Sequence, residues 1–244
     1  MKKMPTLFTR VFEGRDIVET INDVREGCEW VLNGEGVATI KWDGTCCLIQ
    51  DGKLYKRFDY KKGRKLPEGA IPCQEEPDSI TGHFPHWVLC KEDNIDDKYF
   101  IDAFKKYIAT CKRDGVSVEN GTYELVGLHF NNNPYGLDYD TFIKHGKDII
   151  EVGRSYNEIK NYLHDNYIEG IVFHRGNGEM CKIKRSDFGY KWNNYPEDRI
   201  CKELLKRIDT EVNDAELKAT LKLWVKGYAI KTKRIDTLNS RSLK

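Results

Sequence analysis

Lys41-Trp42-Asp43-Gly44-Thr45 sets a lysine, one spacer and an Asp-Gly pair between two apolar segments. A lysine at a strand-to-loop junction, followed by a glycine that lets backbone approach a ligand closely, suits a nucleophile aimed at a phosphate. A plain β-turn can carry the same letters, so the weight of the motif comes from its companions further along the chain. Glu124 stands in Gly-Thr-Tyr-Glu-Leu-Val-Gly, Glu169 in Glu-Gly-Ile-Val, and Lys182 and Lys184 in Cys-Lys-Ile-Lys. Together these residues fit covalent capture of a nucleotide, in which unprotonated Lys41 attacks an α-phosphate and pyrophosphate leaves. A free lysine, with a pKa of about 10.4, is almost fully protonated at neutral pH. Lys182 and Lys184 are suited to oppose that charge as like charges and to neutralise the phosphate in the transition state. Asp43 and Glu169 are hard oxygen ligands of the kind that hold Mg²⁺ or Mn²⁺. Glu124 and Arg57 are left for the sugar and phosphate of the nucleotide. The base needs an aromatic platform, for which Phe142 is the candidate, with Tyr135 and Phe130 behind it.

Strands must carry these residues. Val37–Ile40 reads as a short strand leading into Lys41, and Thr45–Ile49 as a second one turning at Asp51-Gly52, a strong hairpin signal. A two-residue loop pairs Gln50 with Lys53, Leu48 with Tyr55 and Cys46 with Arg57, which would set Arg57 beside the strand end of Lys41. Upstream, Lys3–Phe8 reads as an extended arm, with Pro5 biasing Met4 away from helix. Ile21, Val24, Cys28 and Val31 recur at helical spacing and predict a helix over Thr20–Val31, stopped by Asn33-Gly34. Lys61–Asp97 has little periodicity and reads as a long irregular insertion with one short strand at Trp87–Leu89. A helix over 99–111 presents Phe100, Phe104, Tyr107, Ile108 and Cys111 on one face. Strands at Tyr123–Val126 and near Phe142-Ile143 flank an Asn-rich loop at Asn131–Gly136. Ser155 and Glu158 form a capping box for a helix to about Asp165. Ile168–Phe173 and Met180–Ile183 then make a hairpin in which Lys182 and Lys184 share one face and Ile183 takes the other. After Pro196 the pattern is helical, with one stripe at Ile200, Leu204, Leu205 and Ile208 and another from Leu217 to Tyr228.

At 244 residues the chain has room for one domain, taken as 1–195, with a helical extension at 196–244. Its 40 Lys and Arg nearly balance its 39 Asp and Glu, so net charge alone implies no polyanion partner. The distribution says more: residues 53–65 hold seven Lys or Arg against one Asp, and 218–244 hold eight against Asp236. Such stretches suit a phosphate track, and Lys231, Lys233 and Arg234 are the tail's candidates for RNA contact. Eight cysteines with no signal peptide imply reduced thiols in a soluble intracellular protein. Adjacent Cys46 and Cys47 point to opposite faces of a strand. Cys73, His83, His86 and Cys90 match no common zinc spacing. No apolar run approaches the ~20 residues that span a bilayer, and a monomer is expected.

Lys3-Met4-Pro5, Lys41-Trp42-Asp43-Gly44-Thr45-Cys46-Cys47, Gly82-His83-Phe84-Pro85-His86-Trp87-Val88, Asn133-Pro134-Tyr135-Gly136-Leu137 and Glu169-Gly170-Ile171-Val172 resemble the small ATP-dependent 5′-to-3′ RNA ligases, the family that includes the vertebrate enzyme. These belong to the covalent nucleotidyltransferases, with DNA ligases and mRNA capping enzymes. The resemblance covers about residues 3–192. It implies an α+β fold, an ATP-grasp-like adenylation domain of antiparallel sheets with flanking helices. It also implies that Lys41 becomes adenylylated, that Arg57, Glu124 and Lys182 bind ATP or AMP, and that Glu169 serves the metal; Ile40 and Lys184 are further candidates for the nucleotide site. The substrates implied are ATP and RNA with 5′-phosphate and 3′-hydroxyl ends. Lys184 departs from the vertebrate pattern, which has histidine there. The segment after Pro196 resembles nothing named, and at about 48 helical residues it is short for an OB-fold. An RNA guanylyltransferase, or a non-catalytic nucleic-acid-binding module of the same fold, are the alternatives.

Overall fold

The computed structural model describes residues 3–61, 63, 65–79, 81–192 and 206–213. Strands β1 (Phe8–Glu13) and β2 (Asp16–Val24) form an antiparallel hairpin closed at Gly14. A short helix α1 (Glu29–Leu32) leads to β3 (Val37–Lys41), then β4 (Thr45–Gln50) and β5 (Lys53–Tyr60). β6 (Ile71–Pro72) and β7 (Phe84–Leu89) precede the long helix α2 (Lys98–Arg113). β8 (Gly121–Val126), β9 (Thr141–Lys144), β10 (Ile149–Ile150), helix α3 (Tyr156–Asp165), β11 (Gly170–His174) and β12 (Met180–Lys184) complete the order. The fold is a mixed one of antiparallel sheets with few helices.

Two larger sheets divide the work. One has four strands in the order β10-β3-β11-β12, and the other six in the order β6-β7-β5-β4-β8-β9. The buried face of the first is made by Ala38, Ile40, Ile171, Phe173, Cys181 and Ile183, packed with Leu7, Phe8, Ile159 and Leu163. α3 reaches this core from a complete capping box, in which the Ser155 hydroxyl accepts from the Glu158 amide and the Glu158 carboxylate accepts from the Ser155 amide at 3.0 Å. The second sheet buries Cys47, Ile49, Leu54, Tyr123, Leu125 and Phe142 against Ala103 and Phe104 of α2. Lys56 lies on that face as well and is held by buried Asp97 at 2.5 Å.

The Asp51-Gly52 turn pairs Gln50 with Lys53 and Leu48 with Tyr55, the register the two-residue loop requires. One expectation is overturned. Residues 16–24 are a strand, and only Glu29–Leu32 are helical within the segment 20–31. Ile17, Val18, Thr20, Ile21 and Val24 are β-branched residues that favour the pleated ribbon, and Gly27, at φ +81°, interrupts any helix joining Val24 to Cys28. The long insertion is also more ordered than its composition suggests: β7 runs from Phe84 and pairs along β5 from Tyr60 to Tyr55. On α2, Ile108 is exposed rather than part of the packed face.

The N-terminal arm is extended and functions as a strand edge. The Leu7 amide donates to the Lys182 carbonyl at 2.7 Å, and the Lys182 amide donates to the Pro5 carbonyl at 3.0 Å. The chain divides into two units, Met1–Trp192 and Asn193–Lys244. In the second unit residues 206–211 are helical with Ile208 buried. Ile200, Leu204, Leu205 and the stripe from Leu217 onward lie outside the described residues, as do Lys231, Lys233 and Arg234. Among the described residues no helix is long and apolar enough to cross a membrane.

Candidate active site

Register fixes which side chains share the cleft. In the four-stranded sheet Gly170 pairs with both Lys41 and Lys184, and Val172 with both Thr39 and Lys182. Side chains alternate along a strand, so Lys41, Lys182 and Lys184 emerge on the face opposite Ile40, Ile171 and Ile183. Gly170 leaves that face open between two lysines. A Cβ there would collide with the Ile183 carbonyl oxygen, so the closeness of β11 to β12 at this point depends on glycine.

Glu169, only 4 % exposed, answers the charge. Its Oε2 accepts from Lys41 Nζ at 2.5 Å and its Oε1 from Lys184 Nζ at 2.8 Å. For Lys184, burial works against the ammonium, but Glu169, with Asp43 and Asp187 adding, outweighs it and the pKa lies above the ordinary lysine value. Lys182 differs: burial, then Lys41 and Lys184, push its pKa down to about 8. The cleft therefore holds one ion-paired nucleophile candidate, one firmly charged lysine and one whose charge is costly.

Trp42, Asp43 and Gly44 cross from the small sheet to the large one, because β3 ends at Lys41 and β4 starts at Thr45 in the other sheet. Every residue of this crossing is anchored. Trp42 Nε1 donates to Asp148 Oδ2 at 2.7 Å, the Asp43 amide donates to the Tyr135 hydroxyl at 2.6 Å, and the Gly44 amide donates to Glu124 Oε1 at 3.0 Å. Gly44 presses against β8 so closely that a Cβ would strike the Leu125 carbonyl oxygen. The Asp43 carboxylate accepts from Trp192 Nε1 at 2.6 Å on one oxygen and from Asn131 Nδ2 on the other. Both its oxygens accept from neutral donors, so Asp43 organises the loop and keeps lone pairs for a further partner. Asn131, Asn132 and Asn133 all adopt positive φ, and that left-handed run carries Asn131 to Asp43.

On the large sheet Cys46 pairs with Glu124, and Lys56, which pairs with Cys47, lies on the other face. Alternation then puts Cys46, Arg57, Thr122, Glu124 and Ile143 on one face and Cys47, Tyr123, Leu125 and Phe142 on the other. Arg57 shares the face of Glu124, with its Nε donating to Asp59 Oδ1 at 3.0 Å. It stands in a different sheet from Lys41, so the two are not hairpin neighbours. Phe142 is not placed to stack on a base: it is buried in the core, edge-on to Phe104 and Tyr123. Phe130 is buried beside Phe100 in the same core. Tyr135, half-buried with its ring edge-on to Trp42 at 4.9 Å, is the aromatic that reaches the motif. The Ile40 side chain points into the core and its amide donates to the Asp148 carbonyl, so neither is offered to a ligand in the cleft.

Sequence reasoning passes over Asn131, His145 and Trp192. His145 Nε2 lies 2.9 Å from Glu124 Oε2, and Trp192 closes on Asp43 from the last described residue of the first unit. Nothing in their local sequence marks them. Only a tertiary contact with a motif residue does. Cys73, His83, His86 and Cys90 form no ligand cluster among the described residues; His86 Nδ1 lies 2.8 Å from the Phe84 carbonyl oxygen.

The family model for RNA ligase 1 matches residues 105–240. A Rattus norvegicus protein named RNA ligase 1 is 25% identical over 222 aligned residues, covering 64% of this chain and 68% of its own length. A Mus musculus protein of the same name is 26% identical over 222 residues, and one from Danio rerio 25% over 225, each with the same shares covered. The family match contains Glu124, Glu169, Lys182 and Lys184 and starts after Lys41. It also runs through the segment beyond Pro196, which corrects the expectation that this segment has no counterpart.

Proposed function

The chain belongs to the RNA ligase 1 family, and from that premise we propose that it is an ATP-dependent RNA ligase working through a nucleotide bonded to Lys41. The observation that carries the reading is the shared carboxylate: Lys41 and Lys184 both pair with Glu169 on a face that also presents Lys182. Three lysines around one buried acid, with a single strand-end lysine on the Asp-Gly loop, suit phosphoryl chemistry better than structural ion pairing.

In the first step Lys41, having given one ammonium proton to solvent, uses its neutral Nζ lone pair to bond to the α-phosphorus of ATP, the bond to pyrophosphate breaks, and a second Nζ proton passes to solvent. The AMP then passes to the 5′-phosphate of an RNA, and a 3′-hydroxyl displaces AMP to form the phosphodiester. Glu169 has to release Lys41 before the attack. Its donor set fits a hard cation, since both carboxylate oxygens already satisfy cations in a buried place. Mg²⁺ or Mn²⁺ held by Glu169 would neutralise phosphate charge there. Asp43, whose oxygens accept from Trp192 and Asn131, positions the loop and keeps acceptor lone pairs that the same ion could use. Lys182 and Lys184 are the phosphate cations, and Glu124 and Arg57 face the nucleoside. The adenylation-domain type of fold belongs to the same reading.

Incubation with labelled ATP or labelled GTP, followed by denaturing electrophoresis, tests it. Label from ATP retained on the protein supports the proposal. Label from GTP alone points to guanylyl transfer, and no label under either nucleotide refutes covalent capture.

A further inference from the structure

We propose that Cys46, Glu124 and His145 form a second cation site, suited to a zinc-class divalent ion and separate from the hard-cation position at Glu169. The three side chains offer one sulfur, one carboxylate oxygen and one imidazole nitrogen, all within 4.8 Å of one another. The sheet puts them together: Cys46 pairs directly with Glu124 across β4 and β8, and the His145 amide donates to the Thr122 carbonyl one pleat along the same face. In a tetrahedral zinc shell neighbouring ligand atoms lie about 3.4–3.7 Å apart. Small side-chain rotations close the difference, because His145 Nε2 and Glu124 Oε2 are already 2.9 Å apart.

Two further contacts hold the donors in the orientation that metal ligands need. Thr122 Oγ1 lies 3.0 Å from His145 Nδ1, which fixes the ring and directs Nε2 at the cluster. The Gly44 amide holds the other oxygen of Glu124, which leaves Oε2 free to turn to a cation. A simple Glu-His hydrogen bond accounts for two of the three groups and gives Cys46 no part. The thiol adds the specificity. Sulfur and imidazole select a borderline-soft ion over Mg²⁺. Burial, with Glu124 adding, pushes the Cys46 pKa up to about 12, which opposes the thiolate, so a bound ion has to displace the thiol proton to solvent and binding strengthens as pH rises. Thiolate and carboxylate together neutralise a divalent charge, and the half-buried cluster leaves a fourth position for water. The nearby guanidinium of Arg57 opposes a cation, but it is occupied by Asp59.

Cation binding stands on these contacts alone. Its consequence rests on the proposed function: an ion on Glu124 removes the group that faces the nucleoside and so competes with ATP. The test begins with nucleotide-free protein titrated with Co²⁺. The expected result is a thiolate-to-cobalt charge-transfer band with tetrahedral visible bands, displaced by Zn²⁺ and unaffected by excess Mg²⁺. Cys46→Ser should abolish the charge-transfer band, His145→Ala should weaken binding at least tenfold, and Cys73→Ser should leave both intact, with circular dichroism verifying that each variant folds. No charge-transfer band in the wild type, or one that persists in Cys46→Ser, would overturn the site. A second arm measures ATP labelling with and without Zn²⁺. Zn²⁺ should raise the ATP needed for half-labelling in the wild type and not in Cys46→Ser, whereas an equal rise in both overturns the competition. If the cobalt band forms but ATP never labels the protein, the ligase reading fails and the cation site stands.

Discussion

Lys41, Lys182 and Lys184 occupy one face, yet they are not equivalent, and each difference has a measurable consequence. Lys41→Ala should abolish both nucleotide labelling and sealing of 5′-phosphate RNA. The same variant should still join RNA already activated as a 5′-adenylate, because that step needs no lysine nucleophile. Lys182 carries the depressed pKa, about 8. Between that value and the ordinary lysine range the unfolded chain binds more protons than the folded one, so stability from this group rises with pH across the window. Its charge is the one lost there, so ATP affinity should fall as pH passes 8, and in Lys182→Met the affinity should be weaker and flat across the same range. An unchanged pH dependence in the variant would remove Lys182 from the phosphate site. Glu169, as a carboxylate at the start of a strand, shows no packing role in the sequence, but its burial between two ammonium groups gives it one. Glu169→Gln should lose Mg²⁺-dependent labelling and also lower the unfolding free energy, by on the order of 1–2 kcal/mol given that both lysines keep some contact with water. At this scale the charged motif residues are legible because the chemistry dictates their type. Phe142 is misplaced by sequence reasoning because a strand's two faces differ by one residue, and the letters near Phe142-Ile143 do not reveal which face meets the core.

Elements are legible where local signals agree. The Asp-Gly turn sets the β4–β5 register, and the Ser155 capping box starts α3 at the residue expected. The segment 20–31 misleads because apolar residues at helical spacing and β-branched residues in a hairpin give conflicting signals, with Gly27 the decisive letter. Lys41 and Thr45 lie in different sheets, which no hairpin logic reveals, since the crossing depends on Gly44 fitting against β8. Two substitutions separate element from site. Gly170→Ala forces a methyl group into the Ile183 carbonyl and should cost about 1–3 kcal/mol, with labelling of Lys41 reduced because β11 and β12 shift together. Ser155→Ala should cost about 1 kcal/mol through the lost cap and leave labelling unchanged at temperatures where the protein is folded. Thermal melts paired with labelling check both. Equal loss of labelling in the two variants would mean that general destabilisation, not the geometry at Gly170, governs the site.

For the whole molecule, the family match extends through residue 240 and so takes in most of the C-terminal segment. Its eight basic residues beyond position 217, set against Asp236, suit phosphate contacts that read no sequence. Replacing Lys231, Lys233 and Arg234 with alanine should weaken RNA binding, flatten its salt slope by up to about three counterions, and leave Lys41 labelling intact. An unaltered slope would assign RNA binding to another surface. The central claim, that Lys41 carries the nucleotide, is tested most directly by incubating the protein with ATP and Mg²⁺, digesting it, and locating the modification by peptide mass spectrometry. The expected result is one AMP on the peptide containing Lys41, lost in Lys41→Ala. AMP on Lys182, on Lys184 or on any other residue, with Lys41 unmodified, would contradict it.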